Sequence, residues 1–164
     1  MIAGSTLTRI HGDLHLGQVL VCNGDVMLID FEGEPAKPIE VRRGKEHPLR
    51  DVAGVIRSFD YAAAVVRRRS QTSHPHLMDD KIAAYLASFV QVSTDAFLSG
   101  YREQAASAAD GQAPGLNVDL LDFFLVEKAA YEICYEAANR PSWIDVPLHG
   151  LTGYVRRLLD LHEA

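Results

Sequence analysis

The stretch HGDLHLGQVLVCNGDVMLIDFE at residues 11–32 decides how this chain is organised. Its Asn23-Gly24 pair lies between two apolar runs, and Asn-Gly in that position is a strong signal for a two-residue type I′ hairpin turn. Antiparallel pairing brings the open ends of a hairpin together. We therefore expect Gln18, just before the first strand, to lie beside Asp30, just after the second.

The segments around this turn predict a small β element. Apolar runs at Val19–Cys22 and Val26–Ile29 are the two paired strands, and a shorter run at Leu7–Ile10 is a third candidate strand. The next segment, Phe31–Pro48, is rich in glycine, proline and charge, which indicates a long loop. A loop of this length in a compact domain is usually functional or mobile.

The remainder of the chain has the periodicity of helices. Apolar residues recur every three or four positions in four segments, which we predict as helices: Leu49–Arg69, Leu77–Ala109, Asp119–Asn139 and Thr152–His162. Arg140-Pro141 should end the third helix, and Trp143–Pro147 is expected to be an irregular link. The predicted fold class is α+β, with a β-hairpin before a mostly helical body over residues 49–164, in a single domain 1–164.

Composition and charge exclude several classes of function. The chain has 164 residues, 48% hydrophobic and 23% charged, as expected for a globular domain with its own core. Its formal net charge of -6 argues against nucleic acid or an anionic membrane as the partner, because both attract basic surfaces. With no apolar stretch of ~18 residues and no signal-peptide pattern, we expect a cytoplasmic protein. Cys22 and Cys134 lack metal-ligand spacing and are expected to be buried, reduced thiols.

The polar side chains at the ends of the hairpin suit the transfer of a phosphoryl group to a hydroxyl. That reaction needs a carboxylate that orients or deprotonates the hydroxyl, and oxygen ligands that hold Mg²⁺ against the nucleotide phosphates. Asp13 would be the base, whereas Gln18 and Asp30 would be metal ligands. Glu32 is a further candidate for the metal or a metal-bound water. His11 belongs to the same catalytic loop, where we expect it to brace the loop by hydrogen bonds rather than to react.

These motifs resemble those of a known superfamily. HGDLHLGQ at residues 11–18 resembles the catalytic loop HGDxHxxN of aminoglycoside phosphotransferases, which is itself similar to the H-R-D loop of protein kinases. DFE at residues 30–32 resembles their metal-binding motif. Gln18 departs from the pattern, since most of the superfamily has Asn there. Gln keeps the amide oxygen but adds one methylene, so the metal geometry must adjust.

A closer resemblance is to the C-terminal lobe of maltokinases, which is also found fused to trehalose synthase. It is carried by Gln18, by DFEGEP at residues 30–35, by LRDVAG at residues 49–54 and by the segment from Lys128 to Trp143. The resemblance covers most of the chain. It implies a protein-kinase-like C-terminal lobe, ATP and Mg²⁺ as cofactors, and phosphorylation of maltose at its anomeric hydroxyl. The catalytic and metal segment would be residues 7–34.

A complete kinase of this type also has an N-terminal lobe, which supplies a strand-borne Lys to the α- and β-phosphates. No such segment precedes residue 7 in this sequence, so we expect the N-lobe to be absent and the chain alone to be inactive or nearly so. The expected partners are therefore ATP, a sugar acceptor, the missing lobe and, as a further candidate, trehalose synthase.

The predicted sugar site lies on and just after the third helix. Sugars are bound by aromatic faces and by charged or amide hydrogen-bonding groups. Residues of these types that could form one wall of a disaccharide pocket are Lys128, Tyr131, Glu132, Tyr135, Arg140 and Trp143. Structural roles compete with this interpretation: the tyrosines could edge the core, the glutamates could pair with Lys128 or Arg140, and the tryptophan could be a packing plug.

Three residues are assigned to structural support. His15 would brace the catalytic loop. Asp51 would either hold that loop by hydrogen bonds or lie at a helix N-terminus, where the dipole favours a carboxylate. Arg57 could alternatively be a surface charge or a sugar contact.

Two other functions compete with that of a maltose kinase. One is a kinase of the same superfamily acting on an aminosugar or an aminoglycoside, and the other is a noncatalytic pseudokinase or scaffold. The charge of the acceptor pocket distinguishes an aminosugar or aminoglycoside kinase from a maltose kinase, because a cationic acceptor needs several carboxylates and few cations around it. Binding of ATP-Mg²⁺ and sugar distinguishes a kinase from a noncatalytic scaffold.

Overall fold

The computed structural model describes residues 7–73, 80–108 and 116–159. The chain divides into two compact units, the first from residues 1–58 and 119–164, and the second from residues 59–118. A single domain over 1–164 stays a prediction.

The hairpin of the first unit forms as predicted. Strand β1 (Val19–Cys22) pairs with strand β2 (Asp25–Leu28) in an antiparallel sheet of two strands, with Val19 opposite Leu28. Asn23 and Gly24 have φ angles of 52° and 81°, the positive values that both central residues of a type I′ turn require. The predicted strand bounds are correct to within one residue.

Two details of the N-terminal region differ from the prediction. Leu7–Ile10 contributes only an isolated bridge between Thr8 and Glu46, so it is not a strand. The predicted loop 31–48 contains a short helix, α1 (Ile39–Arg42), which follows Pro38. Proline favours this place because its fixed φ suits a helix start and its missing N–H is not needed there.

The helical body consists of α2 (Leu49–Ser73), α3 (Asp80–Ala108), α4 (Val118–Asn139) and α5 (Asp145–Leu158), with a 3₁₀ turn at Pro141–Trp143. The predicted irregular link Trp143–Pro147 is therefore wrong at its end, since α5 begins at Asp145 rather than at Thr152. Pro147 is the third residue of α5, where its N–H would have no partner in the helix. Positions 77–79, 109 and 160–162 of the predicted helices lie outside the described residues.

The core of the first unit is formed by one apolar face from each of three helices. The buried side chains of α2 are Leu49, Val52, Ala53, Val55 and Ile56, those of α4 are Leu120, Leu121, Phe124, Leu125 and Ala129, and those of α5 include Val146 and Tyr154. Removal of this apolar surface from water is the main force that fixes the three helices relative to one another. The start of α2 and the middle of α4 are thereby held as a rigid support for the hairpin loops.

A buried ion pair crosses this core. Arg57 of α2 is 1% exposed, and its Nε and Nη2 donate to Oε2 of Glu132 of α4 at 2.9 and 2.7 Å. Its Nη1 also lies 3.4 Å from the hydroxyl of Tyr154 of α5. Arg57 is thus neither a surface charge nor a residue open to a sugar, because its guanidinium joins the three core helices.

In the second unit, the C-terminal part of α2 packs with α3 through aromatic edges. The ring of Phe59 lies 6.4 Å, centroid to centroid, from the rings of both Phe89 and Phe97. By length and composition, Lys81–Ser107 within α3 would suffice to cross a membrane, so the prediction that no stretch is long enough is wrong. Apolar helices of soluble proteins pass the same test, and a membrane role does not follow.

Candidate active site

The loop that carries Asp13 is held on the first turn of α2. Asp51 accepts hydrogen bonds from the backbone N–H groups of His11 and Gly12, at 2.7 and 2.9 Å. Asp51 also lies in the first turn of its helix, where the helix dipole favours a carboxylate. The two roles considered for Asp51 therefore coexist, and both oxygens are engaged in fixing the backbone just before Asp13.

His11 connects the same loop to the end of β2. Its Nε2 donates to the carbonyl of Ile29 at 2.7 Å, its Nδ1 faces the backbone N–H of Asp13 at 3.4 Å, and its ring lies 4.8 Å from the ring of Phe31. The residue is 5% exposed. A side chain with both ring nitrogens directed at backbone groups is placed to brace the loop against the segment that carries Asp30.

Gln18 and Asp30 meet at the open end of the hairpin, as the Asn-Gly turn predicted. The Gln18 Nε2 lies 3.1 Å from Oδ2 of Asp30, and the backbone N–H of Ile29 donates to the carbonyl of Gln18 at 3.0 Å. Asp30 has a φ of 63°, a left-handed conformation that a residue other than glycine adopts at a cost and that clusters at functional sites. The carboxylate of Asp30 lies beside Gln18, the last residue of the catalytic loop.

This pair fits a Mg²⁺ ion in its chemistry. Carboxylate and amide oxygens are the hard ligands that Mg²⁺ prefers, and the exposed Asp30 leaves room for water and phosphate ligands. Across residues 7–73, 80–108 and 116–159, no group of three or more His, Cys, Asp or Glu side chains is arranged to hold a metal. Glu32 is exposed, and its carbonyl accepts a hydrogen bond from Arg42 at 3.1 Å.

A cavity of about 110 Å³, lined by both charged and apolar side chains, opens beside Asp13. Lys128 of α4 lies on its wall, with Nζ 3.6 Å from Oδ1 of Asp13 and 5.4 Å from the centroid of the Tyr131 ring. The Tyr131 hydroxyl donates to the carboxylate of Glu34, which also lines the cavity. Burial and then the negative charges of Glu34 and Asp13 raise the pKa of Tyr131 to about 12, so the phenol stays protonated and acts as a donor.

A second group of charges lines the outer wall of the cavity. Arg50 pairs with Glu46 at 2.6 Å and with Glu127 at 2.8 Å, and Lys37 lies 3.8 Å from Glu46. Sequence reasoning missed this group together with Glu34. The available signal was the density of charge in loop 31–48, but no spacing rule connects that loop to α4.

The predicted sugar-binding residues fall into two sets. Lys128 and Tyr131 line the cavity, whereas Glu132 is a buried partner of Arg57 and does not. Arg140 forms a bidentate pair with the buried Glu136, at 2.9 and 2.6 Å. The guanidinium of Arg140 also lies 5.7 Å from the Tyr135 ring centroid and 5.5 Å from that of Trp143, so these residues form a separate cluster.

Two further residues can be placed. His15 accepts a hydrogen bond from the N–H of Gly17 at 3.0 Å through its Nδ1, and so caps the 3₁₀ turn Leu16–Gln18. Cys22 and Cys134 are both exposed, which corrects the expectation of buried thiols. The reason is local: β1 presents most of its residues to solvent, and the exposed face of α4 extends to residue 134.

Gly54 of α2 permits the close approach of the catalytic loop. A Cβ at this position would overlap the carbonyl oxygen of Leu14, a backbone atom.

We expect Gly54→Ala to lower the free energy of unfolding by ~1–3 kcal/mol, because the added methyl forces the loop off the helix. Gly100→Ala on α3 is the matched control, since its Cβ would meet nothing within 4 Å and alanine should stabilise the helix by roughly 0.5–1 kcal/mol. Urea denaturation measures both, and two changes of the same sign would contradict the packing described.

Comparisons with known proteins find similar kinases, although no family model matches the chain. A glucosamine kinase of Streptacidiphilus jiangxiensis is 30% identical over 97% of the chain and 34% of its own length. A glucosamine kinase of Mycolicibacterium smegmatis is 33% identical over 89% of the chain and 34% of its own length. A solved glucosamine kinase in complex with glucosamine, ADP and inorganic phosphate matches 94% of the chain and 36% of its own, with 25% identity and a TM-score of 0.77.

The chain thus spans about a third of the length of these relatives. Maltokinase and trehalose synthase are not shown by the comparisons, so the resemblance stated from the motifs holds only at the coarser level of kinases. The described residues share the fold of one third of a glucosamine kinase, mostly helical with a small antiparallel sheet, and these likenesses support a kinase-like family for the chain.

Proposed function

We propose that this chain carries the acceptor and metal sites of an ATP-dependent kinase that phosphorylates a hydroxyl group of an aminosugar such as glucosamine. The observation that supports it is the link between the two sites. Asp13 lies at the cavity, and His11, two residues before it, is hydrogen-bonded to the carbonyl of Ile29, which directly precedes Asp30. A base and a metal ligand are thus joined through one buried side chain.

Asp13 is the group that would orient the acceptor hydroxyl and accept its proton. The carboxylate is half-buried at the cavity, and the ammonium of Lys128 lies 3.6 Å from its Oδ1. Gln18 and Asp30 would hold Mg²⁺, which when bound neutralises charge on the transferred phosphoryl group. The bonds from Asp51 keep the loop fixed, so the base need not reorganise during the reaction.

Charge in the cavity favours an amine-bearing acceptor over a neutral one. The cavity is lined by five carboxylates, those of Asp13, Glu34, Glu46, Asp51 and Glu127, and by three cations, those of Lys37, Arg50 and Lys128. An excess of carboxylates attracts a cation. The relatives named glucosamine kinase point in the same direction. Maltose is the second acceptor to be tested, since DFEGEP at residues 30–35 resembles maltokinases.

The test is ATP consumption by the chain alone and joined to a kinase N-terminal lobe, with glucosamine, maltose, glucose and an aminoglycoside offered in turn. We expect turnover with glucosamine to exceed that with glucose and maltose by about tenfold or more, as a charge-assisted contact allows. Preferred use of maltose would establish the other acceptor. A protein that binds neither ATP-Mg²⁺ nor any sugar, yet binds another protein, would be a scaffold and would end the proposal.

Asp30→Ala should abolish the Mg²⁺ dependence of nucleotide binding, because it removes the charged member of the ligand pair. Calorimetric titration of ADP with and without Mg²⁺ measures the effect, which we expect to be a tenfold or greater loss of affinity, about 1.4 kcal/mol or more. Asp25→Ala, at the other end of β2, is the matched control and should leave the Mg²⁺ dependence unchanged. Equal Mg²⁺ effects in the Asp30 variant and the wild-type chain would remove Asp30 from the metal site.

A further inference from the structure

Glu34 occupies a defined place beside the predicted base. It follows Gly33, whose Cα would lie 3.2 Å from a Cβ on Gly12, so the backbones of the catalytic loop and of the segment after β2 are nearly in contact. Glu34 and Asp13 therefore line the same cavity. The Glu34 side chain is half-buried, and its carboxylate accepts a hydrogen bond from the Tyr131 hydroxyl.

The other carboxylates of the cavity already have a cation beside them or short backbone hydrogen bonds. Glu46 and Glu127 pair with Arg50, and Asp51 accepts two backbone N–H groups. Asp13 lies 3.6 Å from the ammonium of Lys128. Within the ranges of the chain that the structure describes, Glu34 forms no ion pair. Its carboxylate has two neutral partners, the Tyr131 phenol and the backbone N–H of Ala36, which lies 3.5 Å from Oε1.

A half-buried carboxylate that has no cation beside it favours a positively charged ligand over a neutral one. Partial burial weakens its hydration, so a cation brought by a ligand gains more from it than from a fully exposed carboxylate. A protonated amine brings a positive charge together with its hydrogen bonds to this carboxylate, whereas a hydroxyl in the same place offers a hydrogen bond without a charge. The Tyr131 hydroxyl fixes the orientation of the carboxylate in advance.

We propose that Glu34 is the specificity-determining residue of the acceptor pocket and that it binds the protonated amino group of the acceptor. This inference rests on the proposed function as a sugar kinase and adds to it the residue that selects an aminosugar over the neutral sugar. Lys128 remains the partner of Asp13. With the ligand amine bound, each of the two carboxylates nearest the acceptor has its own cation.

The test is isothermal titration of the 164-residue chain with glucosamine and with glucose, which differ only in the amino group. Glu34→Gln keeps the shape and the Tyr131 contact but removes the charge. We expect it to weaken glucosamine binding by about 10- to 100-fold and to change glucose binding by less than about threefold. Glu40→Gln, on the exposed α1 of the same segment, is the matched control for net charge and should change neither affinity. Glu34→Asp retains the charge and should preserve a preference for glucosamine.

The outcomes separate this inference from the proposed function. The role of Glu34 would be overturned, and the kinase proposal left intact, if the wild-type chain binds glucosamine and the Glu34→Gln variant keeps the wild-type ratio of the two affinities. The same holds if the variant loses affinity for both sugars equally. Wild-type chain that binds neither sugar would overturn both. A circular dichroism melt of each variant shows whether a loss of binding reflects a loss of fold. If Glu34→Gln does not fold, the ratio of glucosamine to glucose affinity in Glu34→Asp decides whether the charge of residue 34 selects the amine.

Discussion

Asp13→Asn is expected to lower the rate of phosphoryl transfer by ~10²-fold or more without changing the fold, because asparagine cannot accept the proton of the acceptor hydroxyl. The substitution is nearly isosteric. The bonds that hold the loop are made by Asp51 to His11 and Gly12, not by Asp13, so the backbone should keep its position. Loss of the pair with Lys128 should cost little stability, because both side chains are partly exposed, 28% and 22%.

The rate should be measured as acceptor-dependent ATP consumption at saturating sugar, with the melting temperature of each variant recorded in parallel. Asp95→Asn is a suitable control, since it removes one exposed carboxylate from α3 in the other unit and should leave the rate unchanged. An undiminished rate in the Asp13 variant would remove this residue from the mechanism. A loss of rate accompanied by unfolding would show that Asp13 supports the structure instead.

Arg57→Met is expected to lower the free energy of unfolding by about 3–5 kcal/mol. It fills a similar volume but leaves the carboxylate of Glu132 buried without its cation, and breaking a buried pair from one side is strongly destabilising. The total stability of a domain this size is of the order of 5–15 kcal/mol, so the variant should be close to its folding limit at 37 °C.

Chemical denaturation measures this change, and the double variant Arg57→Met/Glu132→Leu identifies its cause. Replacement of both charges by apolar groups should recover a large part of the loss, because neither member of this pair is then left buried without the other. Arg102→Met, on the exposed surface of α3, should change stability by less than about 0.5 kcal/mol. A double variant as unstable as the single one would show that the packing of the side chains, not the ion pair, is what the core requires.

The sequence predicted those parts of the fold that depend on local chemistry. The Asn23-Gly24 turn sets the register of the hairpin, and the register in turn places Gln18 beside Asp30. Helix periodicity located all four long helices. It failed at the start of α5, where Pro147 was taken as the end of an irregular link although the first turn of a helix accepts proline.

The parts of the site that the sequence did not predict depend on contacts between distant segments. Glu34 reaches the cavity from loop 31–48, and Arg50 reaches it from α2. Their partners, Tyr131 and Glu127, lie far away in sequence on α4, at separations that no spacing rule predicts. Helical spacing placed Tyr131 and Tyr135 on one face of α4. The two side chains nevertheless have different neighbours, since Tyr131 lines the cavity and Tyr135 packs with Arg140.

The role of Arg57 was also hidden. A charged residue inside an apolar helical pattern is usually exposed, and nothing in the sequence connects it to Glu132, 75 positions away. Only the packing of α2 against α4 and α5 reveals that the charge is interior and paired.

The central claim is that residues 13, 18 and 30 form one site around a divalent ion. Titration of the ¹⁵N-labelled chain with Mn²⁺, a paramagnetic substitute for Mg²⁺, tests it directly, because the ion broadens the amide signals nearest to it. We expect Gln18 and Asp30 to lose their signals first and Asp13 next. Broadening centred on any other part of the chain, with these three signals intact, would contradict the account.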